Sequence, residues 1–227
     1  MRKIKVVMLL AGMGSRLSRP YPKALTKLDY GESILQRQSR IFRSLGLPML
    51  AVVGFKKDLI MEALPDALFA YNPDYDTTNT SKSLLAALRN LDDDTDVLWV
   101  NGDVVFDEGV LELLLASPTS AVAVNNARVA EEEIKYTLNP RGFIQSISKT
   151  VQGALGEALG INLVKAEHLP AFREKLAQVD DNDYFERAME LLIEDRGDVF
   201  RAVDVGQLRC VEVDFATDLD AANTLFR

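Results

Sequence analysis

With 227 residues, 48% of them hydrophobic and 26% charged, the chain can bury one good core, as a single domain or a domain with a small insertion. Its net charge of −8 excludes a broad cationic surface for nucleic acid or an anionic membrane, so basic residues must act locally. The lone cysteine, Cys210, excludes an internal disulfide, and the lone histidine, His168, leaves little for a histidine metal site or triad.

Ile4 to Leu10 is an apolar run that predicts a buried strand. It is too short to cross a membrane and no cleavage-site pattern follows, which leads us to expect a cytoplasmic protein. The strand empties into Gly12-Met13-Gly14-Ser15-Arg16 and then Pro22-Lys23. Glycines let backbone N–H groups approach phosphate oxygens, and Arg16 and Lys23 add full positive charge, so the loop suits a polyphosphate. Neither familiar phosphate-loop pattern fits, because both need a glycine where Leu17 stands; an ordinary strand-to-helix turn is the rival reading.

Ser33 to Leu45 then predicts a helix, with Ser33 and Gln36 as a capping box and Gly46 as its stop. Met49 to Val53 is a second strand, a short helix starts near Lys56, and Leu68 to Tyr71 is extended. Ser81 to Leu91 carries Leu84, Leu85, Leu88 and Leu91 on one helical stripe. Asp92 to Asp96 reads as a solvated acidic loop, and Val97 to Val100 as a strand, its Trp99 in the core, ending at Asn101-Gly102-Asp103. Gly109 to Leu115 is helical. This alternation predicts an α/β fold with a mainly parallel sheet and crossover helices.

From about Ser120 the character changes. Ser120 to Val124, Ile134 to Leu138 and Phe143 to Ile147 read as strands, the last two joined as a hairpin around Pro140-Arg141-Gly142, and this half is expected to cover the site. Leu159 to Val164 is a strand, Leu169 to Gln178 a helix with His168 at its surface-exposed start, and Tyr184 to Ile193 a second helix. Val199 to Val203 and Cys210 to Val213 are strands, and Ala216 to Leu225 closes the chain as a helix. No linker-like segment divides it, so residues 1–227 read as one domain, with a nucleotide-binding half at about 1–118 and an acceptor-binding half at about 119–227.

Three polar clusters, Gly12 to Lys23, Thr77 to Ser83 and Asn101 to Asp103, each follow a predicted strand. In an open parallel sheet such segments converge on one crevice. The first would hold phosphates, Asp103 a divalent cation, and Asn79-Thr80-Ser81, at a helix start, a base or ribose.

Leu9-Leu10-Ala11-Gly12-Met13-Gly14-Ser15-Arg16-Leu17, followed by Pro22-Lys23-Ala24-Leu25 and Asn101-Gly102-Asp103, resembles the nucleotidyltransferase superfamily that includes the sugar-phosphate nucleotidyltransferases. Asn79 to Leu84, Gly156-Glu157 and Val213-Asp214 look most like the phosphocholine cytidylyltransferase branch. The resemblance implies a nucleotide-diphospho-sugar transferase-like fold: a Rossmann-like, mainly parallel mixed sheet with flanking helices and a small β-rich acceptor-binding cover. It further implies an enzyme of the EC 2.7.7 type that joins CTP to phosphocholine or a related small phosphate or phosphonate and releases pyrophosphate. Homodimers are common among such relatives. Under this resemblance Mg2+ is held by Asp103 and Asp214, Lys23 and Arg16 are catalytic, and Leu10 to Arg16, Lys23, Asn79, Thr80, Ser81 and Gly102 bind the nucleotide. Lys135, Lys149, Glu157 and Tyr184 take the acceptor.

Several assignments have rivals. Asp103 could sit in a turn or cap a helix, and Asp214 could be the N-cap before Ala216, although strand alternation puts it on one face with Cys210 and Glu212. Asn79, Thr80 and Ser81 could serve as caps, and Lys135 and Lys149 could be solvated strand lysines. Asp181 to Glu186 holds the ingredients of an ammonium site, but Asp183 and Glu186 also read as a capping box ahead of the Phe185, Met189, Leu192 stripe, and we favour the latter. A sugar-1-phosphate uridylyl- or thymidylyltransferase is the alternative enzyme, weakened by the lack of a Q-x-x-x-x-G-[TS]-A segment; a non-catalytic nucleotide-binding regulatory module is the alternative class.

Overall fold

The computed structural model describes residues 3–14, 21–126 and 133–227. Strand β1 (Lys3–Leu10) lies inside the sheet between β2 (Met49–Val53) and β4 (Thr95–Asn101), both parallel to it, and β3 (Leu68–Tyr71) continues the parallel run outward from β2. On the other side β9 (Gly156–Val164) runs antiparallel between β4 and β6 (Ser120–Asn125), and β10 (Phe200–Asp204) forms the far edge parallel to β6. The hairpin β7 (Lys135–Leu138) and β8 (Ile144–Ser148) attaches to the start of β9. The sheet is thus mainly parallel and mixed, as expected.

Alternation along β1 divides the core. Val6, Met8 and Leu10 face a layer built by α1 (Ile34–Ser44), α2 (Lys57–Ala63) and α4 (Glu108–Leu115). Val7 and Ala11 face the opposite layer, where α3 (Thr80–Leu88), α5 (Leu169–Gln178) and α6 (Phe185–Arg196) pack around Trp99. Trp99 is fully buried, stacked on Phe172 and edge-on to Phe185, with centroids 5.3 and 5.6 Å away. Helix α1 begins as the sequence predicts: Ser33 Oγ accepts from Gln36 N, and Gln36 Oε1 accepts from Ser33 N. Among the described residues no helix is long and apolar enough to cross a membrane.

Some expectations need correction. Asp96 is not in a solvated loop; it lies inside β4, 2% exposed, where it pairs with Lys165 at 3.3 Å and accepts from Ala166 N. A buried pair replaces water as the partner of both charges. His168 does start a helix, but half-buried, with Nδ1 2.9 Å from Ser120 Oγ, and desolvation lowers its pKa. Strand β5 (Val104–Phe106) has no sequence forecast, because only four residues separate the Asp103 turn from α4; it exists through its antiparallel pairing with β11 (Cys210–Glu212).

Candidate active site

The C-terminal ends of β1 and β4 open together, as the crossover rule requires of parallel neighbours. Gly102 makes that closeness feasible: a Cβ there would lie 2.5 Å from Leu10 Cδ2 and 2.7 Å from Leu9 O, and its N–H donates to Leu9 O at 3.1 Å. Asp103 follows in the turn. Gln38, buried in α1, holds that turn by donating through Nε2 to Asn101 O at 2.9 Å and Val104 O at 2.8 Å.

Asp214 arrives from the other end of the sequence. Val213 N donates to Asp103 O at 3.0 Å, which continues the β5–β11 pairing and sets the two carboxylates side by side. Asp214 is not the cap of α7 (Ala216–Leu225): Asp218 accepts from the Asp214 and Phe215 N–H groups instead, so the Asp214 carboxylate turns to the crevice. Lys23, in a single 3-10 turn after Pro22, places Nζ between them, 2.8 Å from Asp103 Oδ2 and hydrogen-bonded to Asp214 Oδ1. Burial works against the Lys23 ammonium, yet its bonds and attraction to Asp103 and Asp214 prevail and raise its pKa.

Glu212 is the residue the sequence analysis left without a role. Its carboxylate joins those of Asp103 and Asp214, with ligand atoms all within 4.8 Å of one another. Burial and the charges of Asp103 and Asp214 push its pKa well up. Asp103 Oδ1 is buried and makes no hydrogen bond. Three hard oxygen donors, one of them unsatisfied, fit a small divalent cation such as Mg2+.

These groups border a cavity of about 350 Å³. Ala11, Gly12 and Gly14 line it beside Lys23, Gly102 and Asp103; Leu10 lines a smaller neighbouring cavity of about 100 Å³. Met13 points outward, 46% exposed, and Ser15 and Arg16 lie outside the described residues. Gly160, which also lines the cavity, has φ of +66° at a bulge in β9, and a Cβ there would meet Asn101 Nδ2 at 2.6 Å.

Across the cavity the starts of α3 and α6 clasp each other. Asn79 N donates to Asp181 O at 2.8 Å, Asn79 Nδ2 to Asn182 O at 3.1 Å, and Phe185 N to Thr80 Oγ1 at 3.2 Å. Asn79 is the N-cap of α3, its Oδ1 accepting from Thr80 N. Asn79 and Thr80 line the cavity; Ser81 is fully buried and does not, its N–H bonded to Asp183 O.

The capping-box reading of Asp183 and Glu186 is overturned. Tyr184 is the N-cap of α6 with no side-chain cap bond, and Asp183 Oδ2 accepts from Asp180 N. Glu186, only 7% exposed, instead reaches the cavity. Burial raises its pKa to about 7, and Lys149 only partly counters this. Lys149 faces the same cavity, its Nζ 5.4 Å from the centroid of the Tyr184 ring. Glu133, raised by burial and by nearby Glu157, completes this end. Lys135 and Glu157 sit opposite each other in the β7–β9 register outside the lining, and Lys135 Nζ donates to Lys149 O at 3.3 Å.

Backbone amides beside a strand-end carboxylate pair and a lysine, on this sheet topology, make a site suited to a nucleoside triphosphate. The chain belongs to the MobA-like NTP transferase domain family, whose model matches residues 6–189. It is 29% identical over 246 residues to the CMP-5'-(3-aminopropyl)phosphonate synthase of Streptomyces rubellomurinus, matching 98% of this chain and 39% of that protein. It is 26% identical over 145 residues to the bifunctional protein GlmU of Buchnera aphidicola, matching 63% of this chain and 30% of that protein. The chain therefore spans well under half the length of these curated relatives. Among solved structures, the CTP:phosphocholine cytidylyltransferase of Streptococcus pneumoniae superimposes with a TM-score of 0.75 at 16% identity, covering 99% of this chain and 100% of that one. The inositol-1-phosphate CTP transferase of T. maritima gives 0.80 at 15% identity, covering 99% and 97%. Both share the fold.

Proposed function

We propose that the chain is a Mg2+-dependent cytidylyltransferase acting on a small phosphate or phosphonate, of the kind phosphocholine exemplifies. An acceptor oxygen attacks the α-phosphorus of CTP in line, the bond from that phosphorus to the β-bridging oxygen breaks, and pyrophosphate leaves. The observation that carries this reading is Lys23 set between Asp103 and Asp214 beside the Gly12–Gly14 loop, in a cavity that Lys149 also lines. The CTP and CMP named for three of the relatives support cytosine as the base.

The acceptor is already anionic, so no general base is needed and catalysis is positioning plus charge neutralisation. Asp103 and Asp214, with Glu212, would hold Mg2+, which polarises the α-phosphate when bound. Lys23 donates to the α-phosphate oxygens as charge builds there, while Arg16 and the loop amides take the β- and γ-phosphates. The half at about 1–118 thus serves the nucleotide, with Asn79, Thr80 and Gly102 on the lining near base and ribose, and the half at about 119–227 the acceptor, with Lys149 and Tyr184 on the lining and Lys135 and Glu157 behind it. Pyrophosphate release measured with CTP, UTP, dTTP, ATP and GTP over a set of acceptors tests this. CTP should be the best donor and EDTA should stop the reaction; CTP among the poor donors, or turnover that survives EDTA, would overturn it.

A further inference from the structure

Glu186 has no place in the transfer step, yet it is built into the cavity. Its side chain is more than nine-tenths buried, lines the cavity, and leaves Oε2 without a hydrogen-bond partner. An unsatisfied buried acceptor is costly and needs a donor when the site is in use. The only described lysines on the lining divide the work: Lys23 is engaged by Asp103 and Asp214, and Lys149 stands alone against Glu133 and Glu186. An acceptor bearing only negative charge would bring its phosphate to Lys149 and its remaining atoms against two carboxyl groups. A zwitterion matches both ends.

The lining also discriminates between kinds of cation. A quaternary ammonium has no N–H to offer Glu186 Oε2 and depends on open aromatic faces. Here the Tyr184 ring faces Lys149 Nζ, Phe185 packs edge-on against Trp99 at 5.6 Å, and Tyr75 packs against Phe55 at 6.5 Å. A primary ammonium donates directly. We propose, resting on the cytidylyltransferase reading, that the acceptor is an aminoalkyl phosphate or phosphonate whose protonated primary amine donates to the Glu186 carboxylate while its anionic end meets Lys149.

The test compares 3-aminopropylphosphonate, phosphoethanolamine, phosphocholine and n-propylphosphonate, with wild type and Glu186→Gln, by pyrophosphate release with CTP and by calorimetric binding without nucleotide. Wild type should favour both primary amines over propylphosphonate and phosphocholine by at least about 10-fold in kcat/KM, as a hydrogen bond to a charged group warrants. Glu186→Gln should lower kcat/KM for aminopropylphosphonate about 10- to 100-fold more than for propylphosphonate, and binding should show the same loss of preference. Equal binding of the amine and its amine-free analogue, preference for phosphocholine over phosphoethanolamine, no binding at all, or a preference retained in Glu186→Gln each overturns the proposal. Amine-selective binding that Glu186→Gln abolishes, with no pyrophosphate released from CTP, would leave the amine site standing and sink the cytidylyltransferase reading.

Discussion

Glu186→Gln should remove a pH dependence of folding stability. In the folded protein burial raises the Glu186 carboxyl from 4.5 to about 7. Between those values the unfolded chain has given up the proton that the folded chain keeps, so unfolding releases a proton and stability falls as pH rises. At about 1.4 kcal/mol per pH unit, a span of about 2.5 units is worth about 3 kcal/mol, accrued from pH 4.5 upward and complete above pH 7. Glutamine keeps the shape and cannot ionise. Urea unfolding of both proteins from pH 5 to 8 gives the stability difference at each pH, and the other titrating groups, common to both, cancel. The variant should gain on wild type from pH 5 to about 7 and level off above that, by about 2–3 kcal/mol in total. A difference that stays flat would refute the claim that this carboxylate is held in a desolvated site.

Other perturbations probe the carboxylate cluster and the turn that carries Asp103. Asp103→Asn should lower pyrophosphate release by at least about 100-fold, as removal of a pre-organised electrostatic group does, while circular dichroism and melting show an intact fold; retained activity would remove Asp103 from the metal role. Gln38→Leu strands the carbonyls of Asn101 and Val104, and should cost about 1–3 kcal/mol by urea unfolding, with activity falling as the Asp103 turn loosens. A neutral result would mean those carbonyls find other donors. Gly102→Ala forces a methyl against Leu9 O and Leu10, 2.7 and 2.5 Å away, and should cost about 1–3 kcal/mol in the same assay; unchanged stability would contradict the close approach.

Much of the fold was legible because it rests on local pattern. The apolar run of β1, the capping box of α1 and the leucine stripe of α3 are written in spacings of two, three and four residues, and such signals survive in isolation. The stripe over-ran its helix, since α3 ends at Leu88 and Leu91 packs from the following turn. Strand β5 was invisible for the opposite reason: three residues carry no period, and only pairing with β11 makes them a strand.

At the site the division is sharper. Lys23 and Asp103 were recognisable because each stands in a compact motif beside a strand end, and Glu212 could have been found from its place two residues before Asp214 on the same face. Glu186 carried a misleading signal. A carboxylate three residues after an aspartate at a helix start is the ordinary mark of a cap, and nothing in the sequence says that Tyr184 takes that position and turns Glu186 inward.

By itself, then, the sequence determined the α/β alternation, the glycine loop and the strand-end carboxylate, because hydrophobic period and backbone freedom are properties of neighbouring residues. Only the tertiary structure decided which distant groups share a cavity: Asp214 against Asp103 through the Val213 hydrogen bond, and Glu186 opposite Lys149 through the clasp of α3 on α6. Burial and charge neighbours set the protonation of both clusters, and those are sums over the folded surroundings that no local pattern contains.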